Sequence, residues 1–141
     1  MKKGLMAIFA CLIVIGGVLV FTFRGRKPFK GLAASDIVSA TVLLGPPDKT
    51  FQIAETEQLV AYLNEVVIYN EDNSYTDYAG QTVIFTLTMT DGSQTKITAF
   101  NPFIVINGTG YKAEYEPCNE LSKYANKLAN EIRSLAYHPS H

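Results

Sequence analysis

The nineteen residues from Leu5 to Phe23 carry no charge and a single weakly polar side chain, Thr22. Wound as an α-helix, such a run extends about 28 Å at about 1.5 Å per residue, close to the roughly 30 Å hydrocarbon core of a bilayer. Whatever folds after it therefore does so as the appended part of a membrane-tethered or exported chain. Lys2 and Lys3 precede the run, and Arg24, Arg26, Lys27 and Lys30 follow it. A secretory signal peptide has an apolar stretch of about 7–15 residues and a small-x-small cleavage site. Here the stretch is longer, and the first such pattern, Gly31-Leu32-Ala33, lies beyond all four cations. The expectation is an uncleaved signal-anchor over residues 1–23, a single pass, with cleavage and secretion as the alternative. Cys11, preceded by Ile8-Phe9-Ala10, fits an acylation site poorly and reads as a lipid-facing or helix-packing residue.

Counting cations near each end, two lysines and the α-amine against four, slightly favours a cytoplasmic domain. A short basic start followed at once by an apolar run is, however, the usual export signal. An extracytoplasmic domain is expected.

Charge divides along the chain. Residues 1–34 hold six Lys/Arg and no acid, whereas residues 35–141 hold the other six against thirteen Asp/Glu, a net charge of −7. An acidic domain is repelled by phosphate backbones, and no basic stripe with interleaved aromatics offsets this, so nucleic acid is not an expected partner. The cations at 24–30 suit lipid headgroups or a stop-transfer flank. With Gly25, Pro28 and Gly31, residues 24–34 read as a basic linker. About 100 residues remain, enough for one domain with one modest core. Two cysteines, one of them in the apolar run, allow no disulfide within that domain.

The domain reads as alternating strands and two helices. Asp36 to Leu44 is β-rich, Gly45-Pro46-Pro47-Asp48 is a turn, and Lys49 to Ile53 pairs back. Thr56 is placed to cap a helix whose Leu59, Tyr62, Leu63, Val66 and Val67 form one apolar stripe. Tyr69 to Gly80 reads as a polar loop. Gln81 to Thr90 alternates, with Val83, Phe85, Leu87 and Met89 on one face and Thr82, Thr86, Thr88 and Thr90 on the other. Asp91-Gly92 predicts a type I′ turn onto Gln94–Phe100, and Asn107-Gly108 joins Phe103–Ile106 to Tyr111–Tyr115. Pro117 suits the first position of a second helix carrying Leu121, Tyr124, Ala125, Leu128, Ile132 and Leu135 on one face. Residues 137–141 read as a flexible tail.

The predicted order, β-β-α-β-β-β-β-α over residues 35–136, is an α+β sandwich: an antiparallel sheet, wet and Thr-rich on one side, with two amphipathic helices packed on the other.

Chemistry-bearing motifs are sparse. His138 and His141 lie in the tail, away from any rigid scaffold for a general base. There is no nucleophile elbow, phosphate loop, zincin motif or paired-cysteine site. No catalytic residue, metal ligand or cofactor is therefore assigned. Glu71-Asp72-Asn73-Ser74 with Asp77 offers oxygen ligands but lacks the spacing and glycine of a calcium loop, and reads as a solvated turn. Cys118 follows Pro117 at a helix start, where amides favour a thiolate, but no base neighbours it; a small buried residue is expected. Asn107-Gly108-Thr109 is formally a glycosylation acceptor, yet a tight turn explains it. Five tyrosines, Tyr69, Tyr75, Tyr78, Tyr111 and Tyr115, gather in the long loop and last hairpin. Large contact area with a polar tip suits them to recognition, or to plugging the rim of a small core.

The set Pro46-Pro47-Asp48-Lys49-Thr50, Tyr75-Thr76-Asp77-Tyr78-Ala79-Gly80, Asn101-Pro102-Phe103, Gly110-Tyr111-Lys112 and Tyr115-Glu116-Pro117-Cys118 resembles an uncharacterised extracytoplasmic domain. That family occurs in small anchored proteins of Gram-positive, clostridium-like bacteria. Similar domains follow the membrane part of penicillin-sensor-type metallopeptidase receptors. The resemblance, over roughly residues 30–135, implies an outward-facing domain with a binding rather than chemical task. Unlike those receptors, this sequence has one span and no peptidase. The expected function is a tethered non-enzymatic binding or sensing module, with an envelope protein or small ligand as partner. The alternative is an interaction or inhibitory partner of a membrane enzyme or receptor, working through a sheet edge or the Thr-rich face. Oligomeric state is open.

Overall fold

The computed structural model describes residues 25–46 and 48–137. The signal-anchor with Cys11, the cation Arg24, Pro47 and both histidines lie outside the described residues. Seven strands and two helices follow in order: β1 (Ile37–Gly45), β2 (Lys49–Ile53), α1 (Thr56–Asn64), β3 (Ile68–Glu71), β4 (Thr82–Met89), β5 (Gln94–Phe100), β6 (Phe103–Ile106), β7 (Thr109–Ala113) and α2 (Tyr115–Tyr137). The strands form one antiparallel sheet in the order β2-β1-β4-β5-β6-β7-β3. The fold is α+β.

Register explains the core. Phe51, Val42, Phe85, Ile97 and Ile106 stand side by side across five strands, and Leu44, Val83, Ala99, Ile104 and Tyr111 form a neighbouring row. Leu59 and Leu63 of α1 and Leu121 and Ala125 of α2 are buried in the same cluster, so both helices lie on this face. Phe85 is fully buried, with its ring stacked 6.3 Å from that of Tyr124. The alternation read in β4 is the alternation observed: Val83, Phe85 and Leu87 are buried, and Thr82, Thr86 and Thr88 half-buried on the opposite face.

Four local expectations are corrected. Tyr69–Glu71, the start of the supposed polar loop, belong with Ile68 to strand β3, which the expected order lacks; Ile68 pairs with Ala113 of β7 and is buried. Its remaining residues are polar because it is an edge strand, and a hydrophobic pattern cannot announce it. Thr56 is the first helical residue rather than the cap; Glu55 holds the cap position without a side-chain hydrogen bond. Helix α2 begins at Tyr115, two residues before Pro117, which is tolerated because the first-turn N–H groups have no intrahelical acceptor. The β4–β5 turn is not type I′. Met89 and Ser93 pair across three loop residues, and among these only Gly92 has positive φ, at 87°. Asp91 Oδ1 accepts from the Ser93 N–H (2.9 Å) and hydroxyl (2.6 Å), fixing that geometry. Asn107 (φ 50°) and Gly108 (φ 88°) do adopt the left-handed pair that a type I′ turn needs.

The outer face of the sheet is less polar than the threonines suggest. Thr50, Leu43, Ile84, Thr98, Val105 and Gly110 form a transverse row there, with Val105 buried. Ile84 is the interruption in the threonine pattern.

Residues 25–34, read as a linker, are tied to the domain. Arg26 and Ile68 exchange two backbone hydrogen bonds of 2.9 Å, adding a bridge at the β3 edge. Asn64 Nδ2 donates to the carbonyls of Phe29 (2.6 Å) and Leu32 (3.2 Å), and Phe29 and Leu32 pack against the core. Lys27 and Glu65 form an exposed ion pair at 3.3 Å, a contact worth little by itself. Helix α2 runs to Tyr137, one residue into the expected tail.

Candidate functional site

The long loop between β3 and β4 folds over the outer face rather than into solvent. The Asp72 N–H donates to the Gly110 carbonyl (2.8 Å), and the Gly110 N–H donates to Asn73 Oδ1 (2.8 Å). The Ser74 N–H donates to Asp72 Oδ1 (2.9 Å), leading into a 3-10 turn over Ser74–Asp77. The bonds from Ser74 hold the Asp72 carboxyl below its ordinary range. Asp72 and Asn73 thus spend their oxygens on building the loop. Among the described residues no group of three His, Cys, Asp or Glu converges as a metal site would require.

The loop is stapled onto β7 at the one place where β7 has no side chain. A Cβ on Gly110 would lie 2.6 Å from the Asp72 carbonyl oxygen and 2.6 Å from the Tyr75 ring. This brings two rings over Phe103: Tyr75 at 6.4 Å and Tyr78 at 5.5 Å between centroids, both tilted. Lys112, opposite Phe103 in register, sets its ammonium 5.5 Å from the same ring. Phe103 is only 1% exposed, while Tyr78 remains 58% exposed. The result is an aromatic plate with one cation beside it, Asp77 in the same loop and Glu71 at the end of β3.

The five tyrosines do not form one patch. Tyr75 and Tyr78 share Phe103. Tyr69 donates from its hydroxyl to Glu114 Oε2 (2.7 Å), a bond that raises its phenol pKa. Tyr115 is exposed where α2 begins. Tyr111 belongs to the helix-facing side, in register with Ile104, with the Arg26 guanidinium 5.5 Å from its ring centroid.

Phe103 and Lys112, which complete the plate, stand in the motifs Asn101-Pro102-Phe103 and Gly110-Tyr111-Lys112 but are not among the expected site residues. A signal existed: Phe103-Ile104-Val105-Ile106 is apolar at every position, and a strand of that kind is covered on both faces. Only the helices cover one face, so the other cover had to come from a loop.

Cys118 lies against the β5–β6 turn, its thiol 3.5 Å from the Phe103 carbonyl and 1% exposed. Burial pushes its pKa up to about 12, which opposes the activating effect of a helix start. Maleimide labelling of Cys118 in the native full-length protein is expected to stay slow from pH 7 to 9 and to become rapid in denaturant; fast native labelling would contradict the burial. In the unfolded chain this thiol ionises in the ordinary cysteine range, and in the folded chain burial pushes it up to about 12. The unfolded state therefore binds fewer protons between these values, and stability falls as pH rises through that window.

In architecture this is an α+β domain whose most built-up exposed feature is an aromatic plate on the open side of its sheet. No family model, no curated protein and no solved structure matches the chain. Among the described residues no helix is long and apolar enough to cross a membrane, and the Leu5–Phe23 segment lies outside them.

Proposed function

We propose that this chain is a non-enzymatic binding or sensing module, held at the outer face of the membrane by residues 1–23, with Tyr75, Tyr78 and Lys112 around Phe103 as its contact surface. The observation that carries the reading is the loop staple at Gly110. Three hydrogen bonds and a side-chain-free position are committed to holding Tyr78 half out of the protein against Phe103, the ring that the Lys112 ammonium also meets. A rigid ring with a polar tip loses little entropy on contact, and an ammonium beside it adds a fixed charge for orientation. Such a surface suits a ring-bearing or planar envelope ligand, or a protein loop. Among the described residues Tyr69 and Tyr115 make no ring contact with Phe103, and Tyr111, on the helix side, is left out. The extracytoplasmic placement rests on the basic start, the apolar run and the family resemblance.

The test has two arms in one strain. Protease shaving of protoplasts carrying the full-length chain with a C-terminal tag reads the topology. A benzoylphenylalanine photo-cross-linker at Tyr78, with Asp91 at the far hairpin as control, reads the surface. Loss of the tag on shaving, with an adduct at position 78 and none at 91, is the expected result. A protected tag removes the topology, and equal cross-linking at both positions removes the site.

A further inference from the structure

The margin of the molecule opposite the tether carries a second surface. Strand β2 is the terminal strand of the sheet, and among the described residues its outer side is unpaired. Beside it, on the helix face, a cleft of about 470 Å³ opens between Ile53 and the C-terminal half of α2, with Leu128, Ile132 and Leu135 along its wall. Leu128, Ile132 and Leu135 continue the spacing of Leu121 and Ala125, which are buried, but Leu135 is 76% exposed. The apolar stripe of α2 therefore runs on past the core it covers. On the rim stand Lys127 and Glu131, one helical turn apart and not within ion-pair distance of each other.

We propose that this margin docks a second copy of the chain about a two-fold axis perpendicular to the sheet. Such an axis sets β2 antiparallel to the partner's β2 and, in the same operation, sets α2 antiparallel to the partner's α2. The charge order fits only this arrangement. Antiparallel helices place Lys127 opposite the partner's Glu131 and Glu131 opposite the partner's Lys127, whereas parallel helices would oppose like charges. Leu128 between these pairs, and Ile132 and Leu135 beyond them, close over the two clefts in each copy. Three helical turns alone fall short of the roughly 800 Å² per partner of a stable contact, and the β2 ladder supplies further area along the same margin. The pairing also caps a strand edge that otherwise invites promiscuous association. It leaves the aromatic plate on β6 and β7, four and five strands away from β2, uncovered, and it does not rest on the ligand reading.

Sedimentation of the full-length protein in detergent micelles, at up to about 100 µM chain, tests it. The wild type is expected to be a dimer. Leu135→Glu and Lys127→Glu, both at exposed positions, are each expected to weaken it by about tenfold or more. The double variant Lys127→Glu/Glu131→Lys restores the charge order and is expected to dimerise as the wild type does. Circular dichroism confirms that each variant is folded. A monomeric wild type overturns the proposal. So does a dimer indifferent to both single substitutions, which would be assembled elsewhere, or a double variant that stays dissociated.

Discussion

Replacing Phe85 with alanine is expected to cost about 4 kcal/mol, the middle of the range for deleting a buried aromatic ring. Phe85 is 0% exposed and stands at the middle of the row Phe51–Val42–Phe85–Ile97–Ile106, with Tyr124 of α2 stacked above it. The cavity left behind has strand neighbours on both sides that are fixed by the β1–β4 and β4–β5 ladders, so it cannot collapse without shifting backbone. Domains of this size hold about 5–15 kcal/mol in total, so the melting temperature should fall by roughly 15 °C. Urea unfolding of the full-length protein in micelles, followed by circular dichroism, measures the loss. A cost below about 1.5 kcal/mol would mean that this row does not carry the core.

Gly110→Ala is the second large effect, and it separates close packing from backbone strain. The new methyl would meet a carbonyl oxygen and a ring, both at 2.6 Å, and a backbone carbonyl cannot swing aside as a side chain can. The loop must lift, losing its hydrogen bonds to Gly110 and uncovering Phe103. A cost of about 2–3 kcal/mol is expected, together with faster amide exchange over residues 72–78. Gly108→Ala, two residues earlier, is the comparison. Gly108 has φ of 88° and nothing within 4 Å of a Cβ, so only backbone strain of about 1 kcal/mol applies and the loop stays closed. Equal behaviour of the two variants would remove the staple.

Most of the scaffold was legible because its strands and helices alternate cleanly between apolar and polar positions. Val83-Ile84-Phe85 and the heptad-like spacing of Leu121, Ala125 and Leu128 each state a period, and each period corresponds to one buried face. What escaped lies where backbone rather than side-chain pattern decides. Strand β3 is recruited by hydrogen bonds at an edge, where Tyr69, Asn70 and Glu71 have no need to be apolar. The turn after β4 is chosen by Asp91 reaching Ser93, a contact that a dipeptide preference does not contain. The tyrosines were legible as a group by composition, but their division was not. That Tyr111 lies beneath Arg26 on the helix side depends on strand parity, set by the register of β7 against β6, whereas Tyr75 and Tyr78 reach the plate through the loop fold.

The bridge between Arg26 and Ile68 has a mechanical meaning on the proposed topology. The chain is hydrogen-bonded into the sheet at Arg26, so a span ending at Phe23, as proposed, would leave no long stalk between bilayer and domain. A module mounted so short samples a narrow cone of orientations and a reach of a few ångströms, instead of sweeping the envelope like a flag on a line. Its surfaces are presented at one height and one tilt. On that proposal, a partner of this protein has to come to the membrane to be met.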